Sequence, residues 1–109
     1  MSLDASELAA SMLNAMKGVL SKKWPEIDEY AATETKKLAE SIVMVQKLKL
    51  TKKITEEEAK LHFNIQKNAT RTVLLTIEGL GLLAVEQAIN AALGAVRDTV
   101  NSAISFALL

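Results

Sequence analysis

The sequence predicts an all-α fold, and three observations support this. Half of the 109 residues are hydrophobic, but only 4% are aromatic and there is one proline. Such a composition is typical of helices and unusual for a β sandwich or barrel. Apolar residues also recur at helical spacing in both halves of the chain, and two helix-start signals stand at Asp4 and Thr55. The length predicts a single helical domain over residues 1–109.

The first helical arm is predicted over residues 4–50. Asp4 and Glu7 form a helix-start signal, and Leu8 and Met12 continue at helical spacing. The chain meets only two breakers before Leu50, Gly18 and Pro25.

The second arm is predicted to begin at Thr55 and to run to about residue 107. Thr55 and Glu58 have the spacing of a capping box, and the acidic residues 56–58 suit the positive end of a helix dipole. Lys47 and Lys49 suit the last turn of the preceding helix, so residues 50–54 form the connection. No proline follows, and two heptad series continue through the arm: Leu61, Asn68, Leu75, Leu82, Ile89, Val96 and Ala103, with the companion series Ile65, Thr72, Gly79, Glu86, Leu93, Val100 and Ala107.

The two arms match in length, which predicts a long antiparallel helical hairpin. At about 1.5 Å per residue each arm would run on the order of 70 to 80 Å, and residues whose numbers sum to roughly 105 would face each other. Pro25 then lies level with Leu80 and its neighbours Gly79 and Gly81. Two alternatives follow: a shared kink in a long hairpin, or a break in both arms that gives a compact four-helix bundle. The long hairpin is preferred because residues 79–81 lack a true turn sequence.

A long hairpin predicts self-association, because each helix covers the other on only one side. Residues 73–85 are apolar almost all round the helix, as expected for a helix surrounded by neighbours. The expected assembly is a homodimer that completes a four-helix bundle. Its predicted interface consists of Leu75, Leu82, Ile89 and Leu93.

Composition and charge exclude several classes of function. Thirteen basic residues balance thirteen acidic ones, so a nucleic-acid partner is not expected. The absence of cysteine and the single histidine leave the common catalytic sites short of parts, so neither an enzyme nor a cofactor is predicted. No apolar run is long enough for a transmembrane segment, and no secretory signal is recognised, which makes the cytoplasm the default location.

Polar residues in the predicted seams suggest two contacts and one metal site. Glu34 falls at an apolar heptad position, level with Arg71, so a salt bridge between them is predicted. Trp24 is expected to lie over Gly79 and Gly81, where the missing side chains leave room for its indole. The metal alternative is a ferritin-like half-bundle that gathers carboxylates and the histidine from facing helices. Its ligands would be Glu34, Glu40, Glu58 and His62.

The function predicted from the sequence is therefore a non-enzymatic structural or protein-interaction module that self-associates through helix packing. The alternative is the metal-binding half-bundle. A third interpretation places the apolar stripe of the C-terminal arm against a lipid surface.

Overall fold

The computed structural model describes residues 3–109, and these residues fold into four α-helices without a β-strand. A short 3-10 helix, Ser21–Lys23, separates the first two α-helices. The bounds of the four α-helices are Ala5–Val19 (α1), Trp24–Leu50 (α2), Glu56–Leu75 (α3) and Leu82–Ile104 (α4). The predicted all-α class is confirmed.

Two helices begin at the residues that the sequence indicates. The carboxylate of Asp4 accepts hydrogen bonds from the backbone N–H groups of Ser6 and Glu7, which caps α1. At the start of α3 the Thr55 hydroxyl accepts from the Glu58 N–H, and the Glu58 carboxylate accepts from the Thr55 N–H. Both contacts satisfy backbone donors that a helix cannot pair internally.

Both predicted arms break near their middle, so the long hairpin is not formed. The described residues measure 42 × 21 × 18 Å, far shorter than arms of 70 to 80 Å would require. Pro25 occupies the first turn of α2, where its missing N–H costs nothing, and Gly79 adopts a φ of +87° between α3 and α4. These two residues favour a bend, and the compact four-helix alternative describes the chain.

The residues that face each other across paired helices are nevertheless those expected from the hairpin, with residue numbers that sum to about 105. Leu8 of α1 and Val96 of α4 line one surface groove, and Ser41 of α2 and Ile65 of α3 line another. The chain thus consists of two helix pairs, α1 with α4 and α2 with α3. The two pairs fold onto each other, with α1 packed against α2.

A single apolar core lies between the two helix pairs. Its largest fully buried side chains come from all four helices and include Met12, Met16, Ile27, Leu38, Ile42, Leu74 and Ile89. Two polar contacts also join the pairs: the Leu3 N–H donates to the Gln46 side chain over 3.1 Å, and Arg71 forms a salt bridge with Glu86.

The prediction that Trp24 covers Gly79 and Gly81 is wrong. A Cβ atom added at Gly79 would meet the side chain of Lys23, whose Nζ would lie 2.8 Å away, and one added at Gly81 would meet no atom within 4 Å. Trp24 instead packs, partly buried, against the core. Gly79 is required for its positive φ rather than for a bulky neighbour.

Candidate interaction surface

The outer side of α3 carries a row of side chains, three of them large and apolar, that the bundle does not cover. The inner side of the helix buries Ala59, Phe63, Thr70 and Leu74. At about 100° per residue, the opposite side carries a row that we call the α3 stripe. It consists of Leu61, Ile65, Asn68, Thr72 and Leu75.

The three large apolar members of the α3 stripe face solvent. Leu61 is 62% exposed, Ile65 is 69% exposed and Leu75 is 40% exposed. Their spacing of four and then ten residues keeps them on one side of the helix, with Asn68 and Thr72 between them. The alternating three- and four-residue steps of the whole stripe are those of a helix that packs against another helix.

The structure divides the predicted interface between the core and the surface. Ile89 and Leu93 are buried in the core of a single chain. Leu75 and Leu82 remain exposed, Leu75 as the last member of the α3 stripe and Leu82 as the first residue of α4. Ile89 and Leu93 are therefore covered by the chain's own helices, and of the four predicted interface residues only Leu75 and Leu82 are accessible to a partner.

A shallow groove between α2 and α3 adjoins the α3 stripe. One part, of about 550 Å³, is lined on its apolar side by Met44 and Ile65, and Ile65 also belongs to the stripe. The other part, of about 500 Å³, is lined by Tyr30 and Val73, and Lys37 borders both parts. Tyr30 and Met44 are exposed, so the apolar surface extends from α3 onto α2.

The four candidate metal ligands do not meet in one cluster. Glu40 and His62 line the same part of the groove, as their level in the paired helices predicts. Glu34 lies in the other part, and Glu58 is engaged in the capping box of α3. Within residues 3–109 no group of three or more acidic or histidine side chains is placed to hold a metal ion.

Glu34 is buried as its apolar heptad position indicates, but its predicted pairing with Arg71 is wrong. The Glu34 side chain pairs through Oε2 with the Lys37 Nζ at 3.2 Å. Arg71 points to the other side of α3, where it binds Glu86 of α4. Glu34 does lie near the predicted position along α3, because Glu34 and Val73 line one groove. Arg71 is two residues before Val73 on the helix, so its side chain projects from the other side and points toward α4.

The Arg71 side chain also changes the acidity of its partner. Its hydrogen bond to Glu86, reinforced by its positive charge and that of Lys67, holds the pKa of that carboxyl below its ordinary value. The contact joins α3 to α4 beside the α3 stripe and holds the outward-facing helix against the bundle.

Some members of this surface were missed by sequence reasoning. The heptad series singled out Leu61 and Ile65, but as seam residues of a hairpin rather than as an exposed surface. Tyr30 and Met44 were not singled out at all, although their 14-residue separation is two heptads along α2. A search for a second apolar face on each helix would have found both sets.

Comparison of the chain with protein-family models, with curated proteins and with solved structures finds no match. The fold and the surface together define a small four-helix protein with an uncovered helical stripe. Among residues 3–109, no helix is both long and apolar enough to cross a membrane.

Proposed function

We propose that the protein is a non-enzymatic helical interaction module that self-associates, and that the α3 stripe is its contact surface. The observation that carries the proposal is the exposure of Leu61, Ile65 and Leu75 on the side of α3 opposite its buried face. Burial of a fully exposed Leu or Ile side chain contributes about 1.5 to 3 kcal/mol, and because these three side chains are 40 to 69% exposed, a partner that covers them gains roughly half of that amount from each before the costs of association.

The spacing of the stripe favours a second copy of the chain as the partner. Leu61 and Leu75 each lie seven residues from Asn68, so a two-fold axis at Asn68 sets the Leu61 of one α3 against the Leu75 of an antiparallel α3. The Asn68 Oδ1 accepts a hydrogen bond from the Arg71 side chain, and its second lone pair and its amide N–H groups leave Asn68 able both to accept from and to donate to its symmetry-related copy. One surface thus serves both partners.

Continuity with the groove supports the same surface. Ile65 belongs to both features, and Met44 lies beside it on α2, so a helix seated on the α3 stripe also covers part of the groove. The charged groups at this edge, Lys37 and Glu40, form a polar rim of the kind that surrounds buried interface cores. The homodimer predicted from the sequence is retained in this proposal, but of the predicted interface residues only Leu75 belongs to the α3 stripe.

The experiment is sedimentation velocity over a range of protein concentrations, with two lysine variants. We expect the wild-type chain to dimerise with increasing concentration and Ile65→Lys to remain monomeric, because a lysine at the stripe would have to be buried without a partner. Leu50→Lys is the matched control: Leu50 is 68% exposed, nearly the same as Ile65, but lies at the end of α2 outside the stripe. A wild-type chain that stays monomeric throughout, or equal behaviour of the two variants, would contradict the proposal.

A further inference from the structure

We propose that the chain can open at one end of the bundle and exchange its two halves with a second copy of itself. The halves are the α1/α4 pair and the α2/α3 pair defined above. This inference rests on the proposed function only in taking a second copy as the partner, since it uses the core and not the α3 stripe. Such an exchange is a low-cost route to a dimer because it reproduces the contacts already present in the monomer.

Two short connections join the halves, and they lie side by side. One is the segment 20–23 between α1 and α2, and the other is the segment 76–81 between α3 and α4. Lys23 and Gly79 line the same groove, and the Lys23 side chain is the nearest neighbour of the position where Gly79 would carry a Cβ. Straightening both segments would therefore swing one half away from the other about a single hinge.

The first connection is already close to helical. Residues 21–23 form a 3-10 helix that runs directly into α2, and Lys23 has φ −100° and ψ 0°. Because 3-10 and α-helical turns differ by small dihedral changes, α1 and α2 can merge by changes at few residues. The merged helices would form the long hairpin, with the same α1/α4 and α2/α3 pairs.

An open chain would expose its whole core, which only a second open chain can cover with the same residues. Two contacts identify the exchange: the hydrogen bond from Leu3 to Gln46 and the salt bridge between Arg71 and Glu86 each join one half to the other. In the closed monomer both lie within a chain. In the exchanged dimer both would lie between chains.

Pro25 and Gly79 determine which state is favoured. In a continuous helix Pro25 would remove one backbone hydrogen bond and crowd the carbonyl of Ser21, whereas in the first turn of α2 it does neither. The φ of +87° at Gly79 suits glycine and disfavours every residue with a side chain. Both residues therefore stabilise the closed monomer relative to the open chain.

The first experiment replaces these two residues together, Pro25→Ala with Gly79→Ala. We expect the dimer fraction to rise by at least about tenfold at a given concentration, because each change favours a continuous helix. Small-angle scattering should show a particle with a longest dimension on the order of 70 Å, compared with 42 Å for the closed chain. Gly81→Ala is the matched control, since Gly81 has an ordinary φ of −86° and open space around it, and it should remain closed.

The second experiment determines whether the contact between positions 71 and 86 lies within one chain or between two. Because the sequence has no cysteine, only the introduced thiols can be cross-linked. Arg71→Cys and Glu86→Cys are introduced into the Pro25→Ala, Gly79→Ala background, and a short bismaleimide cross-links the two thiols. Exchange predicts covalent dimers on denaturing gels. Met44→Cys with His62→Cys is the control: both positions line one groove within the α2/α3 half, so this pair should give cross-linked monomers in the same background.

Two further results would overturn the proposal. Cross-links between positions 71 and 86 that stay within one chain in a dimeric variant would show that the halves are not exchanged. Loss of the dimer when Ile65→Lys is added would show that the α3 stripe forms it.

If the double variant fails to fold, the same cross-linking test is made with Pro25→Ala alone, because this variant leaves the Gly79 turn intact. A wild-type stripe that does not associate would refute the proposed function without affecting this test.

Discussion

The carboxylate of Glu34 is buried with only one of its two oxygens paired. The residue is 3% exposed, its Oε2 binds the half-exposed Lys37, and within residues 3–109 its Oε1 has no hydrogen-bond partner. Removing a charged oxygen from water without a partner costs free energy, and one partly solvated lysine offsets only part of that cost. Glu34 is therefore a position where the sequence does not maximise stability.

We expect Glu34→Met to raise the free energy of unfolding by about 1 kcal/mol, because methionine fills a similar volume without a charge to bury. Lys37→Met should lower the free energy of unfolding, since it leaves the buried carboxylate unpaired. Denaturant melts at neutral pH measure both changes. Lys36→Met is the control, because Lys36 is exposed and has no contact with Glu34 among the described salt bridges. A Glu34→Met variant less stable than wild type would mean that the second oxygen is satisfied in solution.

At the level of single residues, the sequence could predict that Glu34 is buried but not which cation meets it. Heptad spacing places a residue on the core side of a helix, and that alone sets burial. The partner depends on helix rotation to within a few tens of degrees, which spacing does not define. The contact between Glu34 and Lys37 could have been predicted from the sequence, because residues three apart are neighbours on a helix.

The Arg71–Glu86 salt bridge joins α3 to α4. The Arg71 hydrogen bond lowers the pKa of Glu86, so the ionised carboxylate is favoured in the folded state. A group whose pKa is lowered on folding contributes stability above its unfolded pKa and loses it as the pH falls through the folded value. The attachment of α3 to α4 should therefore weaken in acid.

This leads to a pH prediction for Glu86→Gln. The wild-type chain should be more stable than the variant at neutral pH, and the difference should shrink as the pH falls below the ordinary Glu value of 4.5. Urea unfolding of both proteins between neutral pH and strong acid measures this difference. Glu57→Gln is the control, because Glu57 is exposed on the first turn of α3. A difference that is independent of pH would show that the salt bridge does not hold Glu86 in its ionised form.

The ends of the helices divide into those that the sequence could predict and those that it could not. Asp4 and Thr55 begin helices through contacts within four residues, so their effect is local and readable. The break at residues 76–81 depends on Gly79 adopting a positive φ, while glycine is also tolerated inside a helix. The local sequence pattern alone does not decide between a turn and a continuous helix at Gly79, because the packing of one half on the other also contributes.

For the molecule as a whole, the sequence predicted which residues of the paired helices face each other, whereas the closed bundle was the less favoured of two alternatives. The same heptad positions serve a long hairpin and a folded one, because folding the hairpin in half preserves α1 beside α4 and α2 beside α3. The difference lies in what covers the remaining apolar face. In the closed chain the other half covers it, so residues assigned to a partner, Ile89 and Leu93, become core.

The closed fold makes a prediction that separates core from interface. Ile89 is fully buried within one chain, so Ile89→Ala should lower the free energy of unfolding by about 2 to 5 kcal/mol through lost burial and a residual cavity. This loss should be independent of protein concentration, because no second chain supplies the contact. Leu82→Ala is the comparison, since Leu82 is exposed and its truncation should change the stability of the monomer little. Chemical denaturation at two widely different concentrations provides the measurement. If the cost of Ile89→Ala varied with concentration in the wild-type background, Ile89 would lie between chains, and the exchanged dimer rather than the closed monomer would be the ground state.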